Sequence, residues 1–238
     1  GIYKLTAGVD ANGKLQALKF KSTSPSISSR LFPSIVKDGV DPFAVEGIDN
    51  FPYLADAGMN FSYVMHDTGV QVGYWRGVWH NLNAVALECF IDELAKNAGA
   101  DPIQYRIDML DMGSTKHAWS GLSAGVPVGA RMKTVLEEVK KKSRFGKKMP
   151  AGKGQGVAVM EGYNTVIAIV AEVTVDSTMD VTVDKVTAVV DGGTLVHPDQ
   201  ALAQVQGCIN MGQGVGLISE ITVKNGIVEQ DNFDGYRA

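Results

Sequence analysis

Cysteine is scarce in this chain: only Cys89 and Cys208 occur among 238 residues. They stand far apart, each in an apolar helical pattern. A disulfide framework or a cysteine-ligated iron–sulfur cluster is therefore not expected, and two buried free thiols are. The four histidines, His66, His80, His117 and His197, show no metal-ligand spacing. No apolar run reaches the length of a membrane span. The opening residues Gly1–Thr6 read as a strand and not as a signal peptide. An initiator methionine is lacking, which predicts a fragment or a product of processing. Basic residues are not in excess: the net charge is −4, so no basic face is implied and nucleic acid is not the expected partner. Familiar catalytic arrays are missing as well. There is no Gly-x-Ser-x-Gly, no His-Glu-x-x-His, no P-loop and no dinucleotide fingerprint. The glycine-rich Met211–Gly216 follows no strand and reads as helix.

What is present is an ordinary globular composition, 45% apolar and 20% charged, in a chain long enough to bury a core. Ile2–Val9 and Leu15–Ser22 alternate around a turn at Asp10–Gly13, the pattern of a hairpin. Ser22–Asn50 carries Ser, Pro and Gly punctuation and predicts a long loop with one short helix. Phe61–Asp67 and Gly69–Gly73 read as strands, the second one buried. Asn81–Ala98 is the clearest helix. Its apolar face, Leu87, Ile91, Leu94 and Ala98, is widened by Leu82, Val85, Ala86 and Cys89, which predicts burial of most of the helix. Asp101 and Pro102 start a second helix as N-cap and first residue, with Ile103, Ile107 and Leu110 inward. A third, Arg131–Lys142, turns Met132, Val135, Leu136 and Val139 inward and ends in a solvated Lys140–Lys142 run.

From Gly156 the pattern changes to strands at Gly156–Met160, Val166–Val175 and Val181–Val190. A helix at Pro198–Leu217 follows, then a hairpin over Ile221–Val228 turning on Asn225-Gly226. The cluster Gly207, Gly212, Gly214 and Gly216 predicts close backbone packing. The change of pattern near Pro150 predicts two subdomains, 1–150 and 151–238, in an α+β fold of mixed sheets and packed helices.

Two stretches are candidates for chemistry. In Gly73-Tyr74-Trp75-Arg76-Gly77 a glycine-flanked aromatic–arginine turn leads straight into a helix. Such a turn can present backbone amides and one guanidinium to an anion beside a helix N-terminus; the alternative is a tight turn with Arg76 on the surface. In Val190–Pro198 a strand ends in glycines and proline starts a helix that carries Gln204 and Gln206. An inward Gln204 offers a donor and an acceptor to a polar ligand; the alternative is a poorly amphipathic helix with exposed glutamines. Glu88 and Glu93 lie in the long helix. Glu88, between apolar neighbours, is either solvated or reaches a buried arginine that the spacing does not name. Glu161 and Glu172 are candidate buried acids.

Together these stretches resemble the large molybdenum-binding subunit of the xanthine oxidase family, in the branch of isoquinoline 1-oxidoreductase β-subunits and related aldehyde dehydrogenases. The resemblance is carried by Gly73 through Ala95, Ala98 through Arg106, Gly154 through Glu161, Val170 through Val175, Val190 through Asp199, Ala203 through Gly207 and Gly226 through Arg237, in the expected order over nearly the whole chain. It implies part of a molybdopterin-binding domain, with the pterin in its cytosine dinucleotide form. The enzyme so implied is a molybdenum hydroxylase that oxidises an aldehyde or an N-heterocycle with oxygen from water. Electrons would leave through 2Fe–2S clusters on a partner subunit. Residue by residue, Arg76 matches the family's arginine near the molybdenum centre and is the catalytic candidate. Trp75, Arg76, Gly77, Gln204 and Gly207 match cofactor-binding positions, and no side chain is expected to ligate metal.

The departures from the family pattern are part of the reading. The catalytic glutamate of the family lies in a Gly-x-Gly-Glu stretch past the point where this chain stops, and a glycine–phenylalanine–glycine loop would precede residue 1. His197 stands where asparagine is common. These departures predict an internal fragment that does not turn over alone and that assembles with an iron–sulfur subunit and the rest of the large subunit. The alternatives are a non-catalytic structural homologue and an unrelated α+β domain binding a small anion. The branch implies a periplasmic location, with the cytoplasm as the alternative.

Overall fold

The structure is a computed structural model that describes residues 1–48, 52–54, 58–113 and 128–237. His117 and the last two residues of the expected loop, 49 and 50, lie outside them. The chain divides into two compact units, the first formed by 1–147, 156–170 and 187–193, the second by 148–155, 171–186 and 194–238.

In the first unit, strands β1 (Ile2–Val9) and β2 (Leu15–Ser24) pair antiparallel, Leu5 opposite Phe20, as the alternation predicts. Strand β3 (Met59–Met65) joins β2 in parallel, Phe20 opposite Phe61. The intervening loop holds two short 3-10 turns, Pro33–Ile35 and Pro42–Val45, where one short helix is expected. The stretch Gly69–Gly73 is not a strand, and Val70 is 53% exposed. A single Val-Gln-Val alternation is too short to specify a strand against Gly69, which sits at φ 74°.

Three helices share one core with this sheet: α1 (His80–Asn97), α2 (Pro102–Met109) and α3 (Val128–Ser143), α1 against β1 and α2 between α1 and α3. The Asp101 carboxylate accepts from the N–H groups of Ile103 and Gln104, so it caps α2 as expected. On α3, Met132, Val135, Leu136 and Val139 are all buried. Helix α1 departs from expectation. Leu87 and Ile91 are fully buried, but Leu82 and Val85 are exposed and so is Cys89. These exposed residues form a second apolar stripe on the side of the helix opposite Leu87 and Ile91, and none of the described residues covers it.

Strands β4 (Lys153–Gly162), β5 (Thr165–Val175) and β6 (Val181–Asp191) form a second sheet in that order. The two residues between β4 and β5, Tyr163 and Asn164, both have positive φ, 53° and 64°, the geometry of a tight hairpin turn. Val157, Val159, Val166, Ala168 and Val170 from these strands join the main core of the first unit with Phe20, Leu87, Ile103 and Leu136.

In the second unit, α4 (Pro198–Leu217) has the expected bounds and carries no buried residue. Cys208 is exposed, so neither thiol is buried as the apolar patterns suggest. A Cβ added at Gly212 or Gly216 would meet nothing within 4 Å, so at these two glycines the expected close packing is not made among the described residues. The hairpin of β7 (Val223–Lys224) and β8 (Ile227–Val228) turns on Asn225-Gly226 as predicted. No helix among the described residues is long and apolar enough to cross a membrane.

Candidate functional site

The aromatic–arginine turn is built from the bottom by a small apolar cluster. Ile27, Ala44 and Trp79 are buried together, and Val72 and Val78 pack on them from either side of the turn. The chain then doubles back over this base. The Val78 N–H donates to the Trp75 carbonyl at 2.8 Å, and the His80 N–H to the Gly77 carbonyl at 3.0 Å. Two successive residues take left-handed backbone, Gly77 at φ 82° and Val78 at φ 49°. The second is an uncommon conformation for a β-branched residue. A Cβ on Gly77 would come within 2.5 Å of Asn81 Oδ1, so the turn needs glycine there for space as well as for φ. Asn81 Nδ2 in turn donates to the Arg76 carbonyl at 2.6 Å.

Trp75, Arg76 and Gly77 thus stand together where α1 begins, with Trp75 47% exposed and Arg76 exposed. Helix α1 starts without a side-chain cap, and its first N–H, that of His80, is taken by the Gly77 carbonyl. Beside the turn, a cleft of about 510 Å³ is lined by residues that include Arg30, Gln71, Met65 and Val72. Arg30 Nη1 donates to Gln71 Oε1 on its rim.

Gln204 and Gly207 lie three residues apart on α4, in the second unit, and Gln204 is exposed there, the second of the two alternatives that the sequence leaves open. His197 caps α4: its Nδ1 accepts from the Gln200 N–H at 3.2 Å. That is the work an asparagine would do at this position, so the departure from the family's usual residue keeps the cap. Asp191, at the end of β6, is tied into the first unit by Arg131, whose Nε donates to its carboxylate at 2.8 Å and whose Nη2 donates to its carbonyl at 2.7 Å. The Arg131 hydrogen bond holds the Asp191 carboxyl below the usual range.

Several polar residues that shape the site carry little sequence signal. Asp41 is fully buried and accepts from Ser26, Ser28 and Phe43. His80 and Glu46 are buried and meet at 3.2 Å. Glu88 is the buried acid that reaches an arginine, Arg106, at 2.9 Å, while Glu93 is exposed. Glu161 and Glu172 are buried, as the sequence suggests. Among the described residues no group of three or more His, Cys, Asp or Glu could hold a metal ion.

A family model described as a molybdopterin cofactor-binding domain matches residues 86–238. The chain belongs to the molybdopterin cofactor-binding domain family. Among its relatives, a membrane-bound aldehyde dehydrogenase [pyrroloquinoline-quinone] of Gluconacetobacter polyoxogenes is 27% identical, over 99% of this chain and 32% of that protein. The isoquinoline 1-oxidoreductase subunit beta of Brevundimonas diminuta is 28% identical, over 70% of this chain and 20% of that protein. The chain therefore spans a third or less of these curated relatives. An aldehyde oxidoreductase structure from Desulfovibrio gigas aligns with a TM-score of 0.43 at 15% identity, over 76% of this chain and 20% of that one.

The turn precedes the matched residues 86–238, and it presents an exposed arginine that suits a polyanionic group such as a phosphate-linked pterin. On α4, in the second unit, Gln204 is an exposed carboxamide.

Proposed function

We propose that this chain forms part of the cofactor pocket of a molybdenum-dependent oxidoreductase that oxidises an aldehyde or an N-heterocycle, with water as the oxygen source. The observation that carries this reading is the match of residues 86–238 to the molybdopterin cofactor-binding domain. The names of the relatives, an aldehyde dehydrogenase and an isoquinoline oxidoreductase, support the substrate class. When bound, the cofactor supplies the redox chemistry. The residues of this chain bind and orient around it. The Arg76 guanidinium would stabilise negative charge that develops at the reacting centre. Trp75 and Gly77 flank it, and the space beside Gly77 is taken by Asn81. On α4, Gln204 and Gly207 are cofactor-binding candidates in their own unit, the carboxamide offering a donor and an acceptor to a polar edge.

The cytosine dinucleotide form, the 2Fe–2S partner subunit, assembly with the remaining segments of a large subunit, and a periplasmic location all belong to this proposal. The printed name of the aldehyde dehydrogenase relative carries pyrroloquinoline quinone instead of molybdopterin. Metal and cofactor analysis of the native complex, with mass spectrometry of every chain in it, separates the two. Molybdenum and a pterin dinucleotide in stoichiometric amount support the proposal; a quinone without molybdenum, or neither group, rejects it. In the full protein, Arg76→Ala is expected to lower kcat by about 10²–10³-fold with cofactor content retained. Unchanged turnover would remove Arg76 from the mechanism.

A further inference from the structure

We propose that the segment Asp41–Gly47 is a positioning clip that holds both ends of the Arg76 turn and so fixes where the guanidinium stands. The inference rests on the cofactor-pocket reading of that turn. On the entering side, the Tyr74 hydroxyl lies 3.1 Å from Ser28 Oγ, and Ser28 donates to the Asp41 carboxylate through both its hydroxyl and its N–H, each at 3.0 Å. The same carboxylate accepts from Ser26 Oγ at 2.7 Å and from the Phe43 N–H at 3.0 Å. Asp41 is fully buried, and four donors make that burial tolerable. The Tyr74 ring also meets Phe43 edge-on, centroids 5.4 Å apart.

On the leaving side, Asn83 is fully buried, and its Nδ2 donates to the Ala44 carbonyl at 3.1 Å and the Glu46 carbonyl at 2.8 Å. His80 Nδ1 lies 3.2 Å from Glu46 Oε2. The imidazole occupies a slot that exists because two residues have no side chain. A Cβ on Gly47 or Gly162 would approach its Cδ2 to 3.3 and 3.2 Å. Two polar residues in the first turn of α1 are thus committed to one short segment, which also anchors Tyr74 three residues after Gln71. Between the anchors, Val78 sits at φ 49°. A backbone in so sparse a region persists only where its surroundings over-determine it. The clip supplies that constraint, and Asn81 passes it to the Arg76 carbonyl. These residues act through Arg76 and are positioning residues.

The test uses the full cofactor-loaded protein with Tyr74→Phe and His80→Asn, each made alone and on an Arg76→Ala background. Turnover, molybdenum per chain and amide hydrogen exchange over 73–80 are measured. Each variant is expected to lower kcat roughly tenfold, since small misplacements of a reacting group are costly. Molybdenum should be retained, exchange should quicken within 73–80 only, and no further loss should appear once Arg76 is alanine. An equal fall in both backgrounds, or unchanged exchange across the turn, overturns the clip. Tyr74→Phe removes one oxygen and decides the matter if His80→Asn does not fold. If Arg76→Ala alone leaves turnover intact, the cofactor-pocket reading falls, and the exchange of 73–80 still decides the clip.

Discussion

The guanidinium of Arg106 has no exposed surface, and each of its nitrogens meets an acceptor. Nε donates to Glu88 Oε2, Nη1 to Asp92 and the Pro102 carbonyl, and Nη2 to the carbonyls of Glu88 and Val157. Glu88 is completed by the Tyr53 hydroxyl and the Val159 N–H. Burial pushes the Glu88 carboxyl up, against these donors. Removing one partner leaves a charge stranded, so Arg106→Met is expected to cost about 3–5 kcal/mol of stability, measured by denaturant unfolding. The paired change Glu88→Leu with Arg106→Met should recover much of that loss. A double variant no better than the single one would contradict this account of the pair. Asp191 behaves differently. Arg131 depresses its carboxyl, so the folded state binds its proton more weakly than the unfolded chain does. The stability it contributes is complete above the ordinary aspartate range, about pH 4, and is lost as the pH falls through the depressed value. Thermal unfolding between pH 2 and 6 should show Asp191→Asn less stable than the parent at the upper end of that range and converging with it in acid. A constant gap across that range would rule out the Arg131 bond as the cause.

Among the elements, those with a strong local pattern were legible from the residues alone. The hairpin of β1 and β2, the Asp101 cap of α2, the inward face of α3, the bounds of α4 and the Asn225-Gly226 turn all follow from periodicity and turn chemistry. What was not legible depends on contacts distant in sequence. Periodicity marks Leu82 and Val85 as apolar but cannot say that only the Leu87–Ile91 stripe of α1 is covered in this chain. Nor does spacing pair Glu88 with Arg106, or Asp41 with Tyr74 through Ser28. The arginine turn itself was legible because glycine and a helix start punctuate it. Gly77→Ala is expected to destabilise by about 1–2 kcal/mol from its φ of 82° alone, with more from the clash with Asn81. Circular dichroism melting checks this; an unchanged melting temperature would mean the turn does not need its left-handed residue. On α4, Gln204→Ala is expected to weaken cofactor retention, read as molybdenum per chain after purification. Equal molybdenum in variant and parent would count against a role for that carboxamide.

At the scale of the molecule, the family is established by the match over residues 86–238 and the α+β architecture agrees with it. Helix α4 exposes an apolar surface, with Leu202, Val215 and Leu217 all outside the cores that the described residues form. A chain that covers 32% or 20% of its relatives shares its cofactor pocket with other segments in the reading advanced above. That reading requires the arginine turn to face a bound pterin. An experimental structure of the full protein with its native cofactor tests this most directly. The account predicts Arg76 within contact distance of the bound pterin, the guanidinium toward its reactive end. A structure in which the pterin does not touch Arg76 would contradict it.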